Sequence, residues 1–254
     1  TLFQDDVPNR LVGGLPRLLA SVSAMARVHR VPVRFYGVGV DSMERRAPRL
    51  LLKFAAGRQP VWVREVESLR RFSEYFGRSA HLGADASLLA ADEVRARRSV
   101  TREGVCLALN RSEAADLTAE QLSMFTDREV RFISMDQQHY RSDAASIPTS
   151  IRDLFRRDTD VLGWRQAVDQ IANSEVVVAS RMHALYMAVL SEVPCVAVGG
   201  RDKVKAFAEE FAIPRIGSLD HYPSVTGAVA DRSAVDDAIA RAQSSLDGLV
   251  TSLA

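Results

Sequence analysis

The sequence predicts an α/β protein built on parallel sheets. Short apolar runs rich in β-branched residues alternate along the chain with longer segments of helical periodicity. Val176-Val177-Val178-Ala179 turns through Ser180 into a helical pattern carrying Leu185, Met187, Ala188, Val189 and Leu190. A second run, Cys195-Val196-Ala197-Val198, follows Val193-Pro194 and is closed by Gly199-Gly200. Such alternation implies a parallel sheet covered by helices on both faces.

The elements follow in order. Residues 11–29 read as a helix, with Leu18, Leu19, Val22, Met25 and Ala26 along one apolar face. Strand 31–36, helix 48–56, strand 61–63 and helix 66–76, ended by Gly77, come next. Around 91–102 the composition turns charged, with Asp92, Glu93, Arg95, Arg97, Arg98 and Arg102, and reads as a linker or the entry to the second domain, a solvated helix turn being compatible with that. Beyond it the pattern gives strand 105–109, helix 118–126 and strand 130–135. Strand 160–162, helix 164–173, strand 175–179, helix 182–191 and strand 195–198 follow. Helices near 203–211 and 233–248 close the chain.

Composition narrows the functions. At 254 residues and 47% apolar content there is material for two domains of ordinary size. Thirty-three basic residues against 32 acidic ones offer no overall charge for nucleic acid. No apolar run approaches the roughly 18 residues of a membrane span, and no signal peptide is visible. Cys106 and Cys195 both fall in predicted strands without metal-ligand spacing, as small core residues of a reducing cytoplasm. No His/Cys cluster or Asp-x-Asp is present to hold a metal.

The chemistry-bearing residues gather at strand ends. Arg181 and His183 sit two residues apart where a strand gives way to a helix. In open parallel sheets ligands bind at the carboxyl ends of strands, and free N–H groups at a helix start favour an anion. Lys203, one of only three lysines, opens the helix after the next strand. Consecutive β-α-β units usually place such strands side by side. Arg181, His183 and Lys203 would then line one sheet edge as a cationic pocket suited to a small polyanion.

Ser180-Arg181-Met182-His183-Ala184-Leu185, the Val193-Pro194 after it, and Asp202-Lys203-Val204-Lys205-Ala206-Phe207 resemble the polysaccharide pyruvyl transferase family. Five further stretches fit the same pattern in the same order. They are Leu2-Phe3-Gln4-Asp5, Tyr36-Gly37-Val38-Gly39-Val40, Arg64-Glu65-Val66-Glu67-Ser68, Gly83-Ala84-Asp85 and Leu107-Ala108-Leu109-Asn110-Arg111. Arg64-Glu65 stands where the family has Arg-Asp, and Asp6-Val7-Pro8 where it has a Thr-Ser pair. The chain opens on Thr1, so the resemblance implies that the family's first strands and Gly-rich loop lie outside it.

The resemblance implies two Rossmann-like domains of the glycosyltransferase type B kind, the N-terminal one incomplete in this chain. Residues 1–95 would form it, and residues 96–254 the second domain with the donor-binding residues. The active site would lie in the cleft between them. The implied reaction moves the pyruvyl group of phosphoenolpyruvate onto two hydroxyls of a sugar, forming a cyclic ketal and releasing phosphate. The acceptor would be a polysaccharide of the cell envelope, an exopolysaccharide, or a lipid-linked precursor. A lipid-linked acceptor would bring peripheral membrane association, although no basic amphipathic segment stands out in the sequence. No cofactor or nucleic acid is implied, and the location expected is cytoplasmic.

His183 is the candidate general acid, since its ordinary pKa of about 6.5 permits proton exchange near neutrality. Arg181 would grip a carboxylate or phosphate with its planar fork, and Lys203 would supply a point charge to the departing phosphate. Arg64 and Arg111, each just past a strand, are further anion ligands. Asp5 and His139 are candidates for the acceptor sugar, and Asp136 and Asp143 flank His139 in the same region. Asp85 reads as a turn cap and Trp164 as a packing residue. The alternatives are a nucleotide-sugar glycosyltransferase of the same architecture and a non-catalytic glycan-binding relative.

Overall fold

A computed structural model describes residues 14–125, 127–135, 143–155 and 163–253. The chain divides into two compact units, one running to Leu89 and resuming at Ala238, the other spanning Ala90–Asp237.

The first unit carries a three-stranded parallel sheet in the order β1-β2-β3, with β1 Phe35–Val38, β2 Val61–Val63 and β3 His81–Leu82. Helices α1 Gly14–Val28, α2 Arg46–Ala56 and α3 Val66–Phe76 surround it. Phe35, Val38, Leu52, Val61, Val63, Phe72 and Phe76 form its core. Phe72 is fully buried, and truncating such a ring to Ala costs about 3–5 kcal/mol. Helix α3 stops where Gly77 adopts φ 67°, a left-handed cap that glycine takes without strain.

Helix α1 departs from the sequence reading. It buries Pro16, Ala20 and Ser23, while Leu18, Val22 and Met25 of the expected apolar face lie exposed. The buried stripe carries small side chains while the larger ones turn outward, and α1 packs against α2.

The second unit holds a five-stranded parallel sheet in the order β5-β4-β6-β7-β8. In chain order its elements begin with α4 Ala91–Arg95, β4 Val105–Ala108, α5 Arg111–Ala115, α6 Ala119–Ser123 and β5 Val130–Phe132. Then come α7 Trp164–Ala172, β6 Val176–Ala179, α8 Met182–Leu190, β7 Cys195–Val198, α9 Asp202–Glu210 and β8 Arg215–Ile216. Every residue of β4, β6 and β7 is buried, as expected of strands covered on both faces. Residues 160–162, read as a strand, lie outside the described residues.

The charged stretch read as a linker or domain entry opens the second unit and contains α4, whose Ala91 and Val94 are buried three residues apart while Asp92 is exposed. One assignment differs from the sequence reading. The last helix, α10 Arg232–Thr251, belongs from Ala238 onward with the first unit and not the second. The reason lies in its contacts there. Tyr36 Oη donates to the Ala242 carbonyl at 2.7 Å, and Arg34 Nη2 donates to the Ser252 carbonyl at 2.7 Å.

Candidate functional site

In the second unit the chain leaves β4 for β5 on one side, then returns to place β6 on the other. Strand order therefore reverses between β4 and β6, and the carboxyl ends of those two strands flank a topological switch point, the usual ligand crevice of such sheets. Asn110 lies two residues past the end of β4, and Ser180-Arg181 directly follow β6. The Asn110 amide donates to Ser180 Oγ at 2.8 Å, and the amides of Ser180 and Arg181 both donate to the Ala108 carbonyl, at 3.1 and 3.2 Å.

Asn110 caps α5: its Oδ1 accepts from the Ser112 amide at 3.0 Å and from Ser112 Oγ at 2.7 Å. Its side-chain Nδ2 is buried and has no hydrogen-bond partner among the described residues. A buried donor left without a partner is costly unless a ligand or water accepts from it. Helix α8 opens beside it at Arg181 with no side-chain cap, so the positive end of its dipole faces the same crevice.

Arg181 is held in a fork. Its Nε donates to Asp143 Oδ2 at 2.9 Å and its Nη2 to Oδ1. Asp143 is wholly buried, and its amide donates to Ser134 Oγ at 3.1 Å. A charge-assisted two-point pair of this kind fixes the plane of the guanidinium. The Arg181 side chain keeps 29% of its surface exposed, so it is oriented without being sealed away.

His183 is exposed in the first turn of α8. Lys203 is half-buried in the first turn of α9, just past β7, and Arg111 is half-buried at the start of α5, past β4. Arg111, Arg181, His183 and Lys203 thus follow three strands adjacent in the sheet, β4, β6 and β7, and share its carboxyl edge. Asp5, Asp136 and His139 lie outside the described residues. A cavity of about 520 Å³ bounded by Phe125, Arg128, Glu175, Val176, Pro194 and Tyr222 opens where strands begin, and none of the described candidates lines it.

Glu113 joins this edge without having been singled out from the sequence. It is the third residue of α5, and its Oε1 lies 3.1 Å from where a Cβ on Gly199 would stand. Gly199, just past β7, has φ 100°, so glycine is required there both by backbone conformation and by the carboxylate. The Asn-x-x-Glu spacing from Asn110 to Glu113 was the available signal, since it marks a helix start.

A second polar cluster sits at the carboxyl ends of β1, β2 and β3 in the first unit, and it contains Arg64. Arg64 Nε donates to Glu65 Oε2 at 2.6 Å and its Nη1 to Asp85 Oδ2 at 3.2 Å. Glu65 accepts from Ser68 Oγ, which accepts from the Val40 amide at 2.7 Å. Asp85 Oδ1 accepts from the Ser87 amide at 2.9 Å, the turn cap expected there. Gly39 lies under the guanidinium, where a Cβ would stand 2.8 Å from Arg64 Nη2. Gly37-Val38-Gly39, Arg64-Glu65 with Ser68, and Gly83-Ala84-Asp85 therefore converge on one buried network. Arg64 is compensated by two carboxylates and is not set out on the surface.

Cys106 and Cys195 are free, buried in β4 and β7, and burial pushes both thiols up to about 12. They are core residues and not nucleophiles.

The sequence model of the polysaccharide pyruvyl transferase family matches residues 11–202. No curated protein matches the sequence. Among solved structures, the chain is similar to UDP-GlcNAc 2-epimerase of Methanocaldococcus jannaschii in complex with UDP-GlcNAc and UDP. The TM-score is 0.56 at 13% identity, over 93% of this chain and 83% of that one. The wall teichoic acid polymerase TagF, as its H548A variant, aligns at TM-score 0.41 and 10% identity over 85% of this chain and 61% of that one. At such identities the likeness to the epimerase shows the α/β fold alone.

Proposed function

Because the chain belongs to the polysaccharide pyruvyl transferase family, we propose that it transfers the pyruvyl group of phosphoenolpyruvate to a sugar hydroxyl pair. The observation that carries this reading is the carboxyl edge of β4, β6 and β7. There a forked arginine, an uncapped helix start and a buried amide donor without a partner among the described residues meet at the switch point. Phosphoenolpyruvate brings a carboxylate and a phosphate to such an edge, and each suits these donors.

The steps follow from the residue types. His183 delivers a proton to the methylene carbon of the enol, leaving an oxocarbenium-like centre at C2. One sugar hydroxyl adds to C2 and loses its proton. The C2–O bond to phosphate breaks, with Arg181 and Lys203 stabilising the departing charge. The second hydroxyl closes the ring and loses its proton; of the two hydroxyl protons one replaces that given by His183 and the other goes to the phosphate, so one enol phosphate and one diol become a cyclic ketal and inorganic phosphate. Arg111 is a further anion ligand at the same edge. Arg64 is assigned to its own unit's strand ends, and Asp5 and His139 to the acceptor. A cytoplasmic location, and an acceptor that is an envelope or exopolysaccharide precursor, belong to the same proposal.

The second reading is transfer or rearrangement of a nucleotide sugar, favoured by the fold shared with an enzyme solved with UDP-GlcNAc and UDP. Phosphate release from phosphoenolpyruvate across a panel of sugar nucleotides and lipid-linked sugars separates the two. Release that requires an acceptor and is lost in His183→Ala supports pyruvyl transfer. His183 is exposed, so that variant keeps its fold. Absence of release, with no rise in melting temperature on adding phosphoenolpyruvate, would sink the donor assignment.

A further inference from the structure

We propose that the exposed face of α1 and α2 in the first unit docks on an anionic lipid surface. Single exposed aliphatic side chains are ordinary, but these recur at helical spacing. Leu18, Val22 and Met25 on α1 stand at i, i+4 and i+7, and Leu18 and Met25 are 59% and 63% exposed. On α2, Leu50 and Phe54 stand at i and i+4, with Leu50 65% exposed. The two helices pack on one another. Arg27, near the end of α1, lies over the Phe54 ring with its guanidinium 4.2 Å from the centroid. Apolar stripes left outward on adjoining helices mark an interaction surface.

Charge identifies the partner. The whole chain is balanced, at 33 basic against 32 acidic residues, yet residues 14–58 hold nine Arg and Lys against only Asp41 and Glu44. Arg17, Arg46 and Lys53 are exposed on the same helices as the stripes. A second copy of this face would meet its own positive charge, which opposes self-association. Nucleic acid would match the charge and leave the aliphatic stripe in water. An anionic bilayer accepts both. Leu, Val, Met and Phe enter the headgroup boundary while Arg and Lys reach lipid phosphates. Among the described residues no helix is long and apolar enough to cross a membrane, so this is attachment to its surface. The face would serve an acceptor carried on lipid whatever the donor, and its failure would leave phosphoenolpyruvate-dependent turnover of a water-soluble acceptor untouched.

Vesicle flotation of the full chain tests it, with phosphatidylcholine alone against phosphatidylcholine mixed with phosphatidylglycerol. The protein should float with the anionic vesicles and be released as salt is raised. Arg17→Glu with Lys53→Glu should weaken binding by about fivefold or more per position. Leu18→Ser with Leu50→Ser should weaken it at unchanged charge and unchanged circular dichroism. No flotation with anionic vesicles at low salt overturns the proposal, as does flotation that neither variant pair alters. A dimer in sedimentation that Leu18→Ser with Leu50→Ser dissolves overturns it in favour of a second copy, and duplex DNA binding that survives the serine pair does so in favour of nucleic acid.

Discussion

Arg64 and Asp85 form an ion pair of 3.2 Å across the ends of neighbouring strands β2 and β3, with side chains only 7% and 6% exposed. Removing one partner of a buried pair leaves the other charge uncompensated, which typically costs about 3–5 kcal/mol. Arg64→Met should therefore destabilise the first unit by that order, and adding Asp85→Asn should recover part of the loss. Thermal unfolding of the two variants checks this. A melting temperature for Arg64→Met equal to that of the parent would show that the network holds nothing.

Much of the fold was legible because strands and helices differ sharply in composition here. Val176–Ala179 and Cys195–Val198 are bounded by Ser180, Pro194 and Gly199, and the structure keeps both strands at those limits. The two-residue strands His81–Leu82 and Arg215–Ile216 have no periodicity to read. The outward turn of α1 was hidden for a different reason. Apolar periodicity says that a face exists, while which face packs is decided by tertiary neighbours, and here the buried positions are Pro16, Ala20 and Ser23.

The candidate site was legible in its cations and only in part in its anions, since the sequence put Asp143 in the region without its partner and left Glu113 out. Arg181, His183 and Lys203 announce themselves by following strands. Asp143 pairs with Arg181 across 38 positions, and Glu113 reaches Gly199 from α5, which follows a strand two places away from β7 in the sheet. Both depend on β6 lying beside β4, an ordering that sequential pattern does not encode.

Neither thiol should react in the folded protein. Cys106 and Cys195 are buried, and burial holds both up to about 12, far above the pH of a thiol assay. Ellman's reagent should report no thiol near neutral pH and two after denaturation. Rapid reaction of either one without unfolding would contradict the packing of β4 or β7.

Alkaline stability should depend on Tyr36. Burial is the main cause that raises its pKa, with the negative charge of Asp85 adding to it and the Ser245 hydrogen bond opposing. The folded state thus favours the protonated phenol, which donates to the Ala242 carbonyl at 2.7 Å. Its contribution is complete below the ordinary tyrosine value of about 10 and is lost as pH rises through the higher folded value. Tyr36→Phe should cost about 1 kcal/mol at neutral pH and show a shallower fall in stability above pH of about 10. Equal alkaline slopes in parent and variant would remove Tyr36 from the account.

Asp143 should act on the reaction through Arg181. It is wholly buried and touches Arg181 at both carboxylate oxygens. Asp143→Asn preserves shape and removes the charge that fixes the guanidinium plane. If Arg181 binds the donor, as proposed, a fork displaced by about 1 Å costs on the order of 10²-fold. The loss should appear mainly as a raised KM for phosphoenolpyruvate, with kcat changed less. Arg181→Lys should not substitute, because a single ammonium cannot hold Asp143 at two points and still present a planar edge. Stability alone would lower activity at high temperature and leave KM in place. An unchanged KM in Asp143→Asn at a temperature where the variant is folded would separate Arg181 from the donor site.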